Sequence, residues 1–152
     1  MKLKIIKSLW GMTGTLEEQF ARIAQGGYDG IESGVPHPKV ACKFKKLLND
    51  YKLLHVLQIY TAGDDHTKSF INQYKDAVKW NPLLIVSHSA RDCMPFDEQL
   101  EFFETALTWE KQLGISVGHE THRHRAFFTP WATAAILREF PDLKITADFS
   151  HW

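Results

Sequence analysis

The chain is poor in the features that mark specialised protein classes. Only two cysteines occur in 152 residues, Cys42 and Cys93, and they sit far apart. That spacing excludes a disulfide framework and a cysteine-based zinc site, so both read as reduced thiols. No run approaches the ~20 apolar residues of a membrane helix. The N-terminal stretch Met1–Lys7 alternates charged and apolar residues and lacks the apolar core of a signal peptide. The expectation is a cytoplasmic protein without membrane association. Neither charge is in excess, with 18 Lys and Arg against 18 Asp and Glu. A nucleic-acid binder usually shows a basic stripe. The only local cluster is His122-Arg123-His124-Arg125, so nucleic acid is not a favoured partner. Disorder is not expected either, because 44% hydrophobic and 24% charged residues make an ordinary globular mixture.

What the chain does have is alternation. Nearly continuous apolar runs fall at Leu3–Leu9, Tyr28–Glu32, Leu53–Tyr60, Leu83–His88, Ile115–Glu120 and Leu143–Asp148. Such runs are expected of strands buried on both faces. Longer amphipathic runs separate them. After Asp65, residues Phe70, Ile71, Tyr74, Ala77 and Val78 share one helical face. After Pro95, Leu100, Phe103, Ala106, Leu107 and Leu113 follow in similar phase. Thr15-Leu16-Glu17-Glu18 reads as a capping box. Thr129-Pro130 reads as a cap followed by a proline in the first helical position. Gly26-Gly27 and Gly114 suit left-handed helix ends, and Pro141 stops the helix before the last strand.

Strict alternation of strand and helix is the mark of a parallel sheet. The first turn, Trp10-Gly11-Met12-Thr13-Gly14-Thr15, has neither the dinucleotide nor the P-loop spacing, which weighs against an open nucleotide-binding sheet. Polar residues collect at the C-terminal ends of several strands, where barrel enzymes build their sites. The expected fold is α/β, an incomplete (β/α)8 TIM barrel of about six parallel strands with helices outside. Residues 1–152 are expected to form a single domain holding the six N-terminal βα units and lacking the last two. Open strand edges of that kind predict poor solubility or association, including a homo-oligomer.

The candidate site residues lie at these strand ends. Glu120 ends the fifth run and Asp148 the sixth. Adjacent parallel strands lie about 4.8 Å apart, so two inward carboxylates could share one divalent cation at distances of about 2.0–2.6 Å. A lone acid near a strand end is as readily a helix cap or a surface charge. Two on neighbouring strands, each followed by a histidine within three residues, favour the cation. His151 can reach the same rim, and His88 ends the fourth run. Imidazole can ligate a metal or bind a substrate hydroxyl. Glu32 ends the second run and could line the same mouth. His122, in the loop after the fifth run, could hold a substrate oxygen or lie in solvent. His119 should face the helices, because side chains alternate along a strand. His37, His55 and His66 read as ordinary structural histidines.

Four segments taken in order resemble the xylose isomerase-like barrel superfamily. They are Gly27-Tyr28-Asp29-Gly30-Ile31-Glu32, His88-Ser89, Glu120-Thr121-His122 and Asp148-Phe149-Ser150-His151-Trp152. That superfamily includes sugar-phosphate isomerases and epimerases, inosose dehydratases and the endonuclease IV type of DNA repair enzyme. The resemblance spans nearly the whole chain. It implies metal-binding roles for Glu120 and Asp148, with His151 on the substrate or a second metal. It also implies a histidine from a seventh strand and a glutamate from an eighth, neither among the six runs here. Epimerases of the group often carry a second acid six residues after the fifth-strand glutamate, and Ala126 stands at that position.

The function expected is a metal-dependent isomerase or epimerase of a sugar or sugar phosphate, incomplete or inactive as the chain stands. Glu120 is the expected catalytic base and, with Asp148, the metal ligand. His88, His151, Glu32 and His122 are the expected substrate-binding residues. The cofactor is a divalent ion, Mn2+, Mg2+, Co2+ or Zn2+, and the partner is a small sugar or polyol. The alternatives are a metal-dependent phosphodiesterase of the endonuclease IV type and a non-catalytic truncated barrel.

Overall fold

A computed structural model describes residues 3–152. Six strands alternate with helices along it. They are β1 (Ile6–Ser8), α1 (Leu16–Gln25), β2 (Gly30–Gly34), α2 (Ala41–Tyr51), β3 (Leu54–Tyr60), α3 (His66–Val78), β4 (Leu84–His88), α4 (Phe96–Leu113), β5 (Val117–Glu120), α5 (Pro130–Glu139) and β6 (Lys144–Thr146). A 3-10 turn, Pro38–Val40, leads into α2. The strand pairings β1–β2, β2–β3, β4–β5 and β5–β6 are all parallel. The chain is α/β, as the alternation predicts. It divides into two compact units, one ending at Gln58 and the other running from Ile59 to Trp152. Met1 and Lys2, part of the charged N-terminal alternation, lie outside the described residues.

In the first unit, α1 opens on the predicted capping box. The Thr15 hydroxyl accepts from the Glu18 amide, and the Glu18 carboxylate accepts from the Thr15 amide at 2.7 Å. Removing such a cap costs about 1 kcal/mol. Thr15→Ala is therefore expected to lower unfolding stability by about that amount, read from denaturant midpoints. The helix buries Phe20 and Ile23, and Phe20 meets Phe44 of α2 edge-to-face at 5.2 Å. His55 of β3 packs beside Phe44 and shares a 3.0 Å hydrogen bond with the Ser33 hydroxyl. Burial lowers its pKa to about 4.

In the second unit, α3 buries Phe70, Tyr74 and Ala77 as its spacing predicts, while the buried face of α4 is rotated to Phe102, Phe103 and Ala106 and leaves Leu113 exposed. Phe70 and Tyr74 of α3 stack, and Phe70 meets Phe102 of α4 at 5.5 Å. Phe103 stacks on Phe127 at 4.8 Å. Ile85, Val117 and Ile136 are fully buried, at 0% exposure, and each such side chain contributes about 1.5–3 kcal/mol. Asp65 caps α3 and Thr129 caps α5, with Pro130 in the first turn. Gly114 ends α4 at φ +76°, where a side chain would be strained. At Gly118 a Cβ would collide with the Thr146 hydroxyl on the paired strand. A glycine there lets β5 and β6 approach.

The structure corrects several expected boundaries. β1 covers three residues of the run Leu3–Leu9, and β6 covers three of Leu143–Asp148. Neither is buried on both faces as predicted. Lys144 and Ile145 are exposed, and among the described residues β6 pairs with β5 alone. An apolar run can continue past the last ladder bond, so composition overestimates strand length. β2 extends beyond Glu32, pairing Ser33 with Leu57 and Gly34 with Gln58. Glu32 thus lies in mid-strand and does not end the strand. Gly27 takes the left-handed conformation after α1, while Gly26 stays right-handed.

Candidate functional site

The site gathers at the C-terminal ends of β4 and β5 and in the loop after β6. Glu120 is the last residue of β5 and is only 7% exposed. His88 is the last residue of β4 and is 8% exposed. Its Nε2 lies 3.1 Å from the Glu120 Oε2, yet the geometry makes no hydrogen bond. A buried imidazole nitrogen left in this way normally costs stability, and an acceptor of both donors would remove that cost.

The loop segments are held by bonds from side chains to backbone. Thr121 Oγ1 donates to the Asp148 carbonyl at 3.1 Å and accepts from the Asp148 amide at 2.8 Å. These bonds bring residue 148 back beside β5 although β6 has ended two residues earlier. Asp148 Oδ1 accepts from the Ser150 amide at 2.8 Å, and the bonds from Ser150 hold its carboxyl below the usual carboxylate range. Arg123 donates to the Ser150 carbonyl at 3.1 Å, and the Trp152 indole donates to the Phe127 carbonyl at 3.2 Å. His151 Nε2 is 3.5 Å from Asp148 Oδ2.

Three histidine rings pack against one another at a tilt beside these acids. His88 and His122 have ring centroids 4.5 Å apart, and His122 and His151 are 3.9 Å apart. Tyr60 covers the other side of His88 at 4.4 Å. The His122 Nδ1–H donates to the Arg123 carbonyl at 2.8 Å, which leaves its Nε2 lone pair available. Burial lowers the His122 pKa, the bond to the Arg123 carbonyl opposes that shift, and repulsion from His88 and His151 adds to it.

Two ligand sets result. His88, Glu120 and His122 each offer one ligand atom, all within 4.8 Å of one another, and so do Glu120, Asp148 and His151. The expected pair Glu120 and Asp148 is thus brought together with His151, at ligand separations. His88 and His122, read from sequence as substrate contacts, stand close enough to join a cation. Glu32 belongs to the first unit, where its carboxylate accepts from Gln58 Nε2 at 2.9 Å.

Sequence reading missed the residues that support the site. Thr61 receives Nδ1 of His66 at 2.8 Å, accepts from the Ala90 amide at 2.9 Å and donates to the His88 carbonyl at 3.1 Å. Arg125 donates to the carbonyls of Thr61 and Ala90. Together they hold Ala90 at φ +54°, a conformation costing about 1–2 kcal/mol for a residue with a Cβ. Strain of this kind gathers where a turn must be held against its own preference. Nothing in the local sequence signals it.

No family model matches the sequence, and no curated protein sequence does either. Solved structures do. A probable 3-DHS dehydratase involved in petrobactin synthesis from Bacillus anthracis superposes with a TM-score of 0.75 at 18% identity, over 98% of this chain and 64% of that one. A D-tagatose 3-epimerase-like protein gives 0.71 at 18% identity, over 98% and 66%. An AP endonuclease of family 2 from Brucella melitensis gives 0.74 at 13% identity, over 98% and 70%. A xylose isomerase-like TIM barrel protein from Mycobacterium smegmatis, crystallised in complex with magnesium, gives 0.69 at 11% identity, over 96% and 64%. The chain therefore has the fold of the xylose isomerase-like TIM barrels. It spans just under two thirds of the length of the first two of these proteins. Among the described residues no helix is long and apolar enough to cross a membrane.

Proposed function

We propose that this chain carries the metal- and substrate-binding residues of a metal-dependent isomerase or epimerase acting on a sugar or sugar phosphate. The carrying observation is the buried His88 Nε2, without a hydrogen-bond partner among the described residues, facing the Glu120 carboxylate inside a cluster with His122, Asp148 and His151. Mixed oxygen and nitrogen donors at ligand separations fit a divalent ion. Asp148, Glu120 and His151 would hold it, with His88 and His122 as the nitrogen-rich alternative set. When bound, the ion would polarise adjacent carbonyl and hydroxyl oxygens of a sugar as a Lewis acid.

The remaining chemistry falls to the side chains. Glu120 is the proposed base, accepting the proton from the carbon beside the substrate carbonyl. Its low exposure keeps water from competing for that proton. The imidazoles of His122 and His151 can accept from or donate to sugar hydroxyls. Glu32 remains a proposed substrate contact on its residue type alone. The epimerases among the structural neighbours support a small sugar or polyol as substrate.

A second reading has two observations in its favour. Glu120 belongs to both ligand sets, as a multi-metal phosphodiesterase would require, and an AP endonuclease shares the fold. The balanced net charge weighs against a DNA substrate.

The test begins with the full chain dialysed against Mn2+ and Co2+, with Asp148→Ala beside it. The wild type is expected to retain a cation and the variant to lose at least part of it. Loaded protein is then incubated with a ketose panel and with an oligonucleotide holding an abasic site. Epimer formation supports the first reading and strand incision the second. Equal cation content in wild type and Asp148→Ala would remove Asp148 from the metal centre, and equal content in Glu120→Ala, which breaks both ligand sets, would remove the centre from this cluster.

A further inference from the structure

A second set of buried polar groups lies on the other face of β4 and β5 and has no part in the chemistry above. His119 precedes Glu120 on β5 and, by strand alternation, points the opposite way. It is fully buried among Phe70, Phe103 and Phe127. Its Nδ1 shares a 2.6 Å hydrogen bond with the hydroxyl of Ser89, the residue that follows His88. Ser89 is itself tied to the Ser87 hydroxyl at 2.8 Å. The register pairs Ser87 with His119.

The arrangement is two adjacent residue pairs joined twice. Across one face, Ser89 meets His119. Across the other, His88 meets Glu120 at 3.1 Å. The backbone between each pair is a single peptide unit, so the separation on one face constrains the other. Glu110 of α4 extends the restraint. Its Oε2 accepts from the Val117 amide at 3.0 Å and lies 3.8 Å from Lys144 Nζ, while Oε1 is 3.9 Å from His119 Nε2. Both of those last facing atoms are buried and lack a hydrogen-bond partner among the described residues. Beyond the backbone ladder, the hydrogen bond between Ser89 and His119 is a close side-chain contact between the β4 end and the β5 end on this face.

We infer that Ser89 and His119 are positioning residues that set the spacing of His88 and Glu120, and so tune the affinity of the metal centre from the opposite side of the sheet. This rests on the metal-centre reading. Neither residue touches the cation or the substrate. Polar groups that orient ligands in this indirect way change metal affinity by about 10–100-fold when removed.

The experiment uses Co2+ as the probe on the full chain, reading its visible absorption spectrum and its affinity by competition with a chelator. Ser89→Ala is expected to weaken Co2+ binding about 10-fold and to shift the absorption bands. Ser89→Thr keeps the hydroxyl and is expected to restore both. His119→Asn places an amide where Nδ1 lies, and is expected to bind more tightly than His119→Ala. Ile136→Val, on α5, supplies the comparison for a merely structural loss, with a lower melting temperature and an unchanged spectrum. If Ser89→Ala fails to fold, the Ser89→Thr and His119→Asn spectra decide. Wild-type affinity and spectrum in Ser89→Ala, or in His119→Ala, would overturn the inference while leaving the metal centre standing. A wild type that takes no Co2+ would overturn both.

Discussion

Replacing Glu120 with alanine is expected to weaken Co2+ or Zn2+ binding by more than about 100-fold, beyond the range seen for residues that only orient ligands. The carboxylate is the one group shared by both ligand sets, so its loss leaves His88 with His122 and Asp148 with His151. Two donors rarely hold a divalent ion where three or more are usual. Glu120→Gln keeps the shape and one oxygen but removes the charge, and is expected to fall between wild type and alanine. His88→Ala should cost less, because the Glu120, Asp148 and His151 set survives it. Isothermal titration or chelator competition would give the order. If Glu120→Ala bound as tightly as His88→Ala, the carboxylate would not be the shared ligand.

A second large effect concerns acid stability. His55 and His119 are buried in separate units, and desolvation lowers their pKa values from 6.5 to about 4 and about 3. A histidine with a lowered folded pKa is neutral in the native chain while the unfolded chain already takes up a proton. Its stabilising contribution is complete above pH 6.5 and is lost as pH falls toward the folded value. For His55 the shift corresponds to about 3 kcal/mol, at about 1.4 kcal/mol per pKa unit. Glu110 acts in the opposite sense. Burial raises its pKa, so its protonation in acid favours the folded chain and offsets part of the loss. Net stability is expected to drop between pH 6.5 and about 4, measured by denaturant unfolding across that window. His55→Gln should flatten the profile. A profile flat over that window in both the wild type and Glu110→Gln, where the offset is removed, would show that neither imidazole is held neutral by burial.

Much of the architecture was legible in the amino-acid order. The capping box at Thr15, the Thr129-Pro130 start of α5 and the glycine at the end of α4 are local signals, and they act locally. The faces carrying Phe70, Tyr74 and Phe103 are read from spacing alone. Glu120 and His88 were legible because a strand that ends in a polar residue leaves few places for its side chain to go. Asp148 was found for a partly wrong reason. It does not end β6, and the hydroxyl of Thr121 returns it to the cluster. That return is a tertiary contact with no sequence period. His122 lies in a loop as expected, but nothing in Thr121-His122-Arg123 shows that its ring packs between those of His88 and His151. Glu110 was invisible for a different reason. In Trp109-Glu110-Lys111 it resembles a solvated helix charge, and only the packing of α4 against β5 buries it. Glu32 shows the converse limit, since the run Tyr28–Glu32 ends on a charge while the ladder continues to Gly34.

The position of Glu120 in both ligand sets has a consequence for how the centre fills. Glu120 and Asp148 together carry two negative charges, and the three histidines ligate as neutral groups. Two divalent ions would bring four positive charges against those two. An ion in either set therefore reduces the field at the other, and thermodynamic reciprocity makes the penalty the same in both directions. Loading would be anti-cooperative, with a singly occupied form persisting over a wide range of metal concentration. A biphasic isotherm would be its signature, its two limbs drawn together by an added anion that bridges both ions.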